Sequence, residues 1–210
     1  MLPNREMSGR PRRETFIEQA RRAQMVQCAA EEIAEHGYAA TSLVAIARRA
    51  GVSRGVISYH FADKDDLVEQ LVTDFYADAA AFIAPRMLAQ SGVRAQVSAF
   101  IEANLEFFAE HPIQVRAAME IATHHRFATG ARLDEVRPEP AAGRAGLIAL
   151  LEQGQAGGEL RQFDTRAMAV AMRHAIDGAL TELARDPEFD FTTYARELVT
   201  TFDLALRAQP

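Results

Sequence analysis

From about Thr15 onward, apolar residues recur along the chain every three or four positions, and no stretch alternates in the way a half-buried strand would. Val26, Ala29, Ala30 and Ile33 form the inward stripe of a first helix, predicted over about Thr15 to His36 and stopped by Gly37. Leu43, Ile46, Ala47 and Ala50 fall at i, i+3, i+4 and i+7, one face of a second, short helix. Thr41 or Ser42 can cap it, since a hydroxyl there accepts from an otherwise unpaired backbone N–H. Gly51 follows where helices commonly end in a left-handed residue, Val52 can plug the angle, and Ser53 caps a third helix over Arg54 to His60. Asp63 is the next N-cap, with Asp65 and Asp66 in the first turn. Leu67, Leu71, Phe75 and Phe82 then line a fourth helix to about Ala84, where Pro85 predicts a break or kink.

The rest of the chain continues the pattern. Helices are predicted over Val93 to Glu110 (closed by His111-Pro112), Ile113 to about His125, Glu139 to Gln155 (closed by GQAGGEL), Thr165 to Arg185 and Thr192 to Arg207. FATGARLDEVRP between His125 and Glu139 is predicted to be a loop. The fold class is therefore all-α, with about nine helices and no internal repeat.

The second and third predicted helices have the layout of a helix-turn-helix (motif about 42–61), whose second helix lies in the DNA major groove. Arg54, in the first turn of that helix, can reach a phosphate or fork onto a guanine edge; Gly55 lets the helix approach the duplex closely. Val56 offers a small apolar surface to a thymine methyl. Thr41, Ser42, Ser53, Tyr59, His60 and Lys64 supply the polar groups expected along the backbone phosphates. Ile57 and Phe61 are four apart and are expected to face the core. A structural helical hairpin with incidental polar residues would share the spacing, but not the combination of caps, glycine turn, short basic helix and aromatic end.

Charge sharpens this picture. The net charge of −6 looks wrong for a DNA binder until the chain is divided. Residues 1–64 hold ten basic and seven acidic side chains, and the remainder thirteen and twenty-two, so the motif-bearing end is positive and the bulk acidic. Residues 1–14 carry Arg5, Arg10, Arg12 and Arg13 among Pro3, Gly9 and Pro11, a flexible basic arm. The single cysteine, Cys28, excludes an intramolecular disulfide and a four-thiolate metal site, and a packed small side chain is the expected role for it. His124 and His125 are adjacent and so diverge by about 100° on a helix, a poor chelate with no evident third ligand. No cofactor is indicated. No apolar run reaches the ~18–20 residues of a membrane span, and the polar, basic start has no signal character, so a cytoplasmic location with no membrane partner is expected.

The stretch GYAATSLVAIARRAGVSRGVISYHFADKDDLVEQLV resembles the DNA-binding region of the TetR family of bacterial transcriptional regulators. Gly37, Tyr38, Ala47, Gly51, the Tyr59-His60-Phe61 close, Lys64 and Leu67 carry the likeness, over about residues 15–75. Many members have an aromatic where Ser58 stands and a hydroxyl residue where Val56 stands, departures that bear on the DNA sequence read rather than on the family. The resemblance implies a DNA-binding domain over 15–64 and an effector-binding and dimerisation domain over 65–210, joined by the fourth helix as a lever. It implies a repressor of a palindromic operator, released by a small-molecule effector not identified by sequence.

The last two helices are expected to form the homodimer interface, on the apolar positions Met168, Ala171, Met172, Ala175, Ala179 and Leu183 of one and Leu198, Val199, Phe202, Leu204 and Leu206 of the other. Phe100, Asn104, Phe107, Phe108, Met119, Thr123, His124, Phe127, Met172 and His174 are the candidate lining of the effector pocket. Two other classes stay open at this stage. A DNA-binding or architectural protein without an effector is one, although its C-terminal part would be needlessly large. An enzyme is the other, although no GxSxG, phosphate loop, HExxH or cysteine–histidine signal is present.

Overall fold

The computed structural model describes residues 16–124, 143–186 and 188–208. Among them stand nine helices: α1 (Phe16–His36), α2 (Leu43–Arg49), α3 (Arg54–His60), α4 (Lys64–Leu88), α5 (Val93–Glu110), α6 (Pro112–His124), α7 (Arg144–Ala156), α8 (Thr165–Arg185) and α9 (Phe191–Leu206). The predicted basic arm, the loop after His125 and the residues before Gly143 in the predicted Glu139 helix lie outside the described residues. The periodicity located most ends to within a residue or two because capping chemistry marks them. Ser42, Ser53, Asp63, Asp164 and Asp190 each accept from a first-turn N–H of the helix they open.

Pro85 does not break α4; the helix runs through it to Leu88. A proline costs a helix the bond from its own nitrogen to the carbonyl four residues back. Here that lies in the last turns, where Ala81 and Pro85 face solvent and water can take the freed carbonyl. Arg86 also reaches back, donating from Nη1 to the Phe82 carbonyl at 2.7 Å.

Apolar residues gather in two clusters. The first holds Met25, Val26, Ala29, Ala30 and Ile33 of α1 against Ile46 and Ala47 of α2, Ile57 of α3 and Leu67, Val68, Leu71 and Val72 of α4. Ala117 and Ile121 of α6 belong to the same cluster, so the core of the helix-turn-helix end of the molecule, the head, is closed by a helix far along the chain. The second cluster lies among α5, α7, α8, α9 and the distal half of α4, around Phe100, Ile101, Phe107, Leu151, Met172 and Ile176. Gly154 of α7 is a close-approach position within it: a Cβ there would lie 2.6 Å from Leu160 and 2.8 Å from Val93. No described helix is long and apolar enough to cross a membrane.

On α8, Ala169, Met172, Ile176 and Ala179 are the buried line, while Ala171 and Val170 face solvent and Met168, Ala175 and Leu183 are half-buried. On α9, Phe202 and Leu206 are buried, Leu198 and Val199 half-buried, and Leu204 is 55% exposed. One face of each helix therefore completes the core, with Met168, Ala175, Leu198 and Val199 packed at its edge and Val170, Ala171 and Leu204 left exposed.

Candidate nucleic-acid interface and internal cavity

The helix-turn-helix is built from short-range bonds. Ser42 Oγ accepts from Ala45 N at 3.2 Å and Ser53 Oγ from Val56 N at 3.3 Å, opening α2 and α3. Gly51 joins them at φ +67°, a left-handed conformation that costs a glycine little and a side-chain-bearing residue more. Ile46 and Ile57 are wholly buried and pin the two helices to α1 and α4. α3 is thereby held with Arg54, Gly55, Ser58 and Tyr59 exposed and Val56 and His60 half-exposed. Tyr59 turns 67% of its surface to solvent; its hydroxyl meets Glu18 of α1 at 3.3 Å, and its ring stands edge-on to His60.

Two candidate phosphate contacts sit differently from expectation. Thr41 is 3% exposed and its hydroxyl donates to the Gly37 carbonyl at 2.9 Å, so its side chain cannot reach a phosphate without leaving the core. Ser42, one residue on, is the exposed hydroxyl and the cap. Lys64 is half-buried: Nζ donates to the Tyr38 carbonyl at 2.5 Å and lies 3.7 Å from the centre of the Tyr38 ring. Burial holds this ammonium below its ordinary pKa, against the pull of Asp65. The Tyr38 hydroxyl is pushed up to about 12, by burial first and then by the Asp65 carboxylate it faces at 3.4 Å. Lys64 thus ties the entry to α2 onto the start of α4, with donors of the ammonium to spare.

Sequence reasoning missed Arg22 and Arg49. Arg22 Nη1 donates to the His60 carbonyl at 2.6 Å, and its guanidinium covers the Phe61 ring at 4.3 Å. A cation there satisfies the carboxyl end of α3 and opposes its dipole. Arg49, closing α2, donates from Nε to Glu32 at 2.7 Å and pairs with Glu35, both on α1. Helical spacing places these residues on outer faces. That their partners lie on another helix is a fact of packing, with no signature in the local sequence. Cys28 is half-buried, its thiol pushed up by burial and by Glu31.

A cavity of about 350 Å³ opens between α4, α5, α6, α8 and the start of α7. Of the candidate lining, Asn104, Phe108 and Met119 are on its wall. The other described candidates do not line it. Phe100, Phe107 and Met172 are buried in the C-terminal core behind the wall, because their helical positions point at neighbouring helices. Thr123, His124 and His174 are exposed, and Phe127 lies outside the described residues. The wall is completed by Phe75, Tyr76 and Ile83 of α4, Val115 and Ala118 of α6, and a polar group that sequence reasoning did not assemble, Arg173 and Asp177 of α8 with Arg144 of α7. Among the described residues no three histidine, cysteine, aspartate or glutamate side chains gather as a metal site would require.

A small basic helix presented outward on a capped turn, above a helical body with an internal cavity, defines a helix-turn-helix transcriptional regulator. Comparisons with known proteins agree. The family model for bacterial regulatory proteins of the tetR family matches residues 26–71. An HTH-type transcriptional regulator BetI from Paraburkholderia xenovorans (strain LB400) is 31% identical over 185 residues, which cover 77% of this chain and 92% of that relative. A regulator of the same name from Burkholderia thailandensis is 34% identical over 91 residues, 43% of this chain and 47% of that protein, so this chain spans under half of that relative. Among solved structures, the fatty acid degradation regulator FadR from Bacillus halodurans superposes with a TM-score of 0.79 at 21% identity, over 94% of this chain and 100% of that one. The ketosteroid transcriptional regulator KstR2 of Mycobacterium tuberculosis does so at 0.68 and 20%, over 90% and 96%. These two likenesses concern the fold. The chain belongs to the TetR family, and is a DNA-binding transcriptional regulator.

Proposed function

We propose that this regulator is a homodimeric, cytoplasmic repressor that reads a palindromic operator and leaves it when a small molecule fills the cavity. The observation that carries this reading is the double position of α6. Its Ala117 and Ile121 belong to the head's core, while Val115, Ala118, Met119 and Ala122 line the cavity. Glu120 of the same helix accepts from Tyr38 N at 3.4 Å, and Gln114 donates to Gln27 of α1 at 3.1 Å. An occupant that moves α6 or α4 by a fraction of a side chain must shift the head, because close-packed interiors transmit such displacements. The division at about residue 64 belongs to this reading, with α4 and α6 as the two connections across it.

At the DNA, Arg54, Gly55 and Val56 face the base edges, and Ser42, Ser53, Tyr59, His60 and Lys64 the phosphates. One seven-residue helix reads few base pairs, so two heads on a two-fold axis are required, joined through α8 and α9, where Val170, Ala171 and Leu204 are exposed. The switch is an equilibrium between two head positions, and the effector must prefer the non-binding one by about 1–3 kcal/mol or more.

The test is selection of bound duplexes from a random library at near-physiological salt, with the oligomeric state measured by light scattering. A two-fold symmetric consensus and a dimer are expected. A monomer, or salt-sensitive binding with no consensus, would refute the operator-reading dimer.

A further inference from the structure

Arg173 is the unusual group in the cavity wall. Its Nη1 donates to the Asn104 side-chain oxygen at 2.9 Å and its Nη2 to Asp177 Oδ1 at 2.5 Å, while Asn104 donates to the Phe100 carbonyl at 2.7 Å. Asn104 is 3% exposed, so its orientation is set by the core and it holds the guanidinium in place. Arg173 Nε is buried and has no hydrogen-bond partner among the described residues. A guanidinium cannot shed its proton, and a buried donor left unpaired is costly, so such an atom calls for an acceptor.

The charge around it also has a sign. Among the described residues, Arg144 and Arg173 line the cavity against one carboxylate, Asp177, which Arg173 already engages. Arg144 opens α7, whose positive dipole end therefore adds to the same sign. Apart from Asn104, Thr181 and the Tyr76 hydroxyl, the rest of the lining is apolar and aromatic. The Phe108 ring, which could otherwise serve a cationic guest, has the Arg173 guanidinium 5.9 Å from its centre.

The geometry points to an effector with an apolar body and one anionic head, a carboxylate of modest size, seated with its oxygens on Arg173 and its body against Phe75, Ile83, Phe108 and Met119. This rests on reading the cavity as the effector site, and it adds the chemistry of the occupant. A cavity of about 350 Å³ is at the small end of ligand sites, which span ~300–1,000 Å³. A single short acyl or aryl chain suits it better than a fused polycyclic body. Asp177 is half-exposed, so it can turn to solvent while the ligand carboxylate takes its prong of the guanidinium.

The experiment is calorimetric titration of the full-length protein with octanoate, octanol and octyltrimethylammonium, probes that share a chain and differ in the head. Octanoate is expected to bind about tenfold or more tightly than octanol, the effect of one charge-assisted contact in a partly dry site. Arg173→Gln should erase that preference. Asp177→Asn, which removes the competing carboxylate, should strengthen octanoate binding by about threefold or more, a gain that misfolding cannot produce. Equal binding of octanoate and octanol, a preference for the ammonium compound, or binding of none at millimolar concentration overturns the inference. Release of selected DNA is scored separately. Head-dependent octanoate binding that leaves DNA bound upholds the site's chemistry and defeats its role as the effector switch.

Discussion

Around Ile33, Ile46, Ile57 and Leu67 the head buries its side chains completely, whereas the C-terminal part leaves a cavity of about 350 Å³ beside Asn104 and Arg173. The head is a small, mainly aliphatic cluster from five helices closed by Phe61, stapled at its rim by Arg22, Arg49 and Lys64. The C-terminal part is larger and more aromatic, and includes a buried asparagine and a guanidinium with an unpaired nitrogen. Packing of the first kind favours one shape, as a reader of fixed groove geometry requires. An incompletely filled, polar-tagged interior can gain an occupant and repack. The difference supports the proposed division, rigidity at one end and response at the other, with α4 and α6 shared between them.

Several substitutions break that contrast. Ile57→Ala removes the wholly buried side chain that pins α3, and is expected to cost about 2–5 kcal/mol. Urea unfolding should show it, with DNA affinity falling in parallel; an unchanged midpoint would mean the head is looser than its packing implies. Gly154→Ala strikes the other core, where a Cβ would meet Leu160 and Val93, and should cost about 1–3 kcal/mol. Its thermal midpoint should fall while the folded fraction still binds DNA, since the head is untouched. Loss of DNA binding at full folding would show the two ends more tightly coupled than their cores suggest.

Smaller effects sharpen the picture of the head's rim. Ser53→Ala deletes the cap of α3 and should cost about 1 kcal/mol. Ser53→Gly should cost only a few tenths, a ranking that denaturant titration of the pair can reverse or uphold. Lys64→Ala should weaken binding to all DNA sequences alike and shallow the salt slope by about one unit. An unchanged slope with lowered stability would show that the ammonium serves Tyr38 and not phosphate.

The smallest effect concerns Glu35, whose carboxyl the Arg49 guanidinium holds below its ordinary pKa of 4.5. The depressed value means that its contribution is fully present above the ordinary carboxylate pKa and is lost as the pH falls through the lower folded value. The stability gap between the wild-type protein and Glu35→Gln should therefore close on acidification. A gap that widens instead would deny the ion pair any role in joining α1 to α2.

Local chemistry accounts for what could be anticipated. Ser42, Ser53, Gly37 and Gly51 mark helix ends by bonds and backbone angles that involve only a few residues on either side, so the helix-turn-helix and most helix boundaries are visible in the linear chain. Pro85 misled because its cost depends on whether the orphaned carbonyl meets water, and that depends on exposure. Which residues line the cavity was not legible for a related reason. Phe100, Phe107 and Phe108 are equally apolar on one helix, and nothing in their spacing tells which faces a void and which a neighbour.

Taken alone, the sequence determined the all-helical class, the order of the helices, the turn that presents α3 and the family, because periodicity, caps and motif residues are properties of neighbours in the chain. Tertiary structure alone decided that Thr41 is buried, that Lys64 holds Tyr38, and that α6 closes the head's core. It also decided that Asn104, Arg173 and Asp177 meet at one wall. Asn104 and Arg173 are 69 positions apart, and their pairing follows from how α5 and α8 pack.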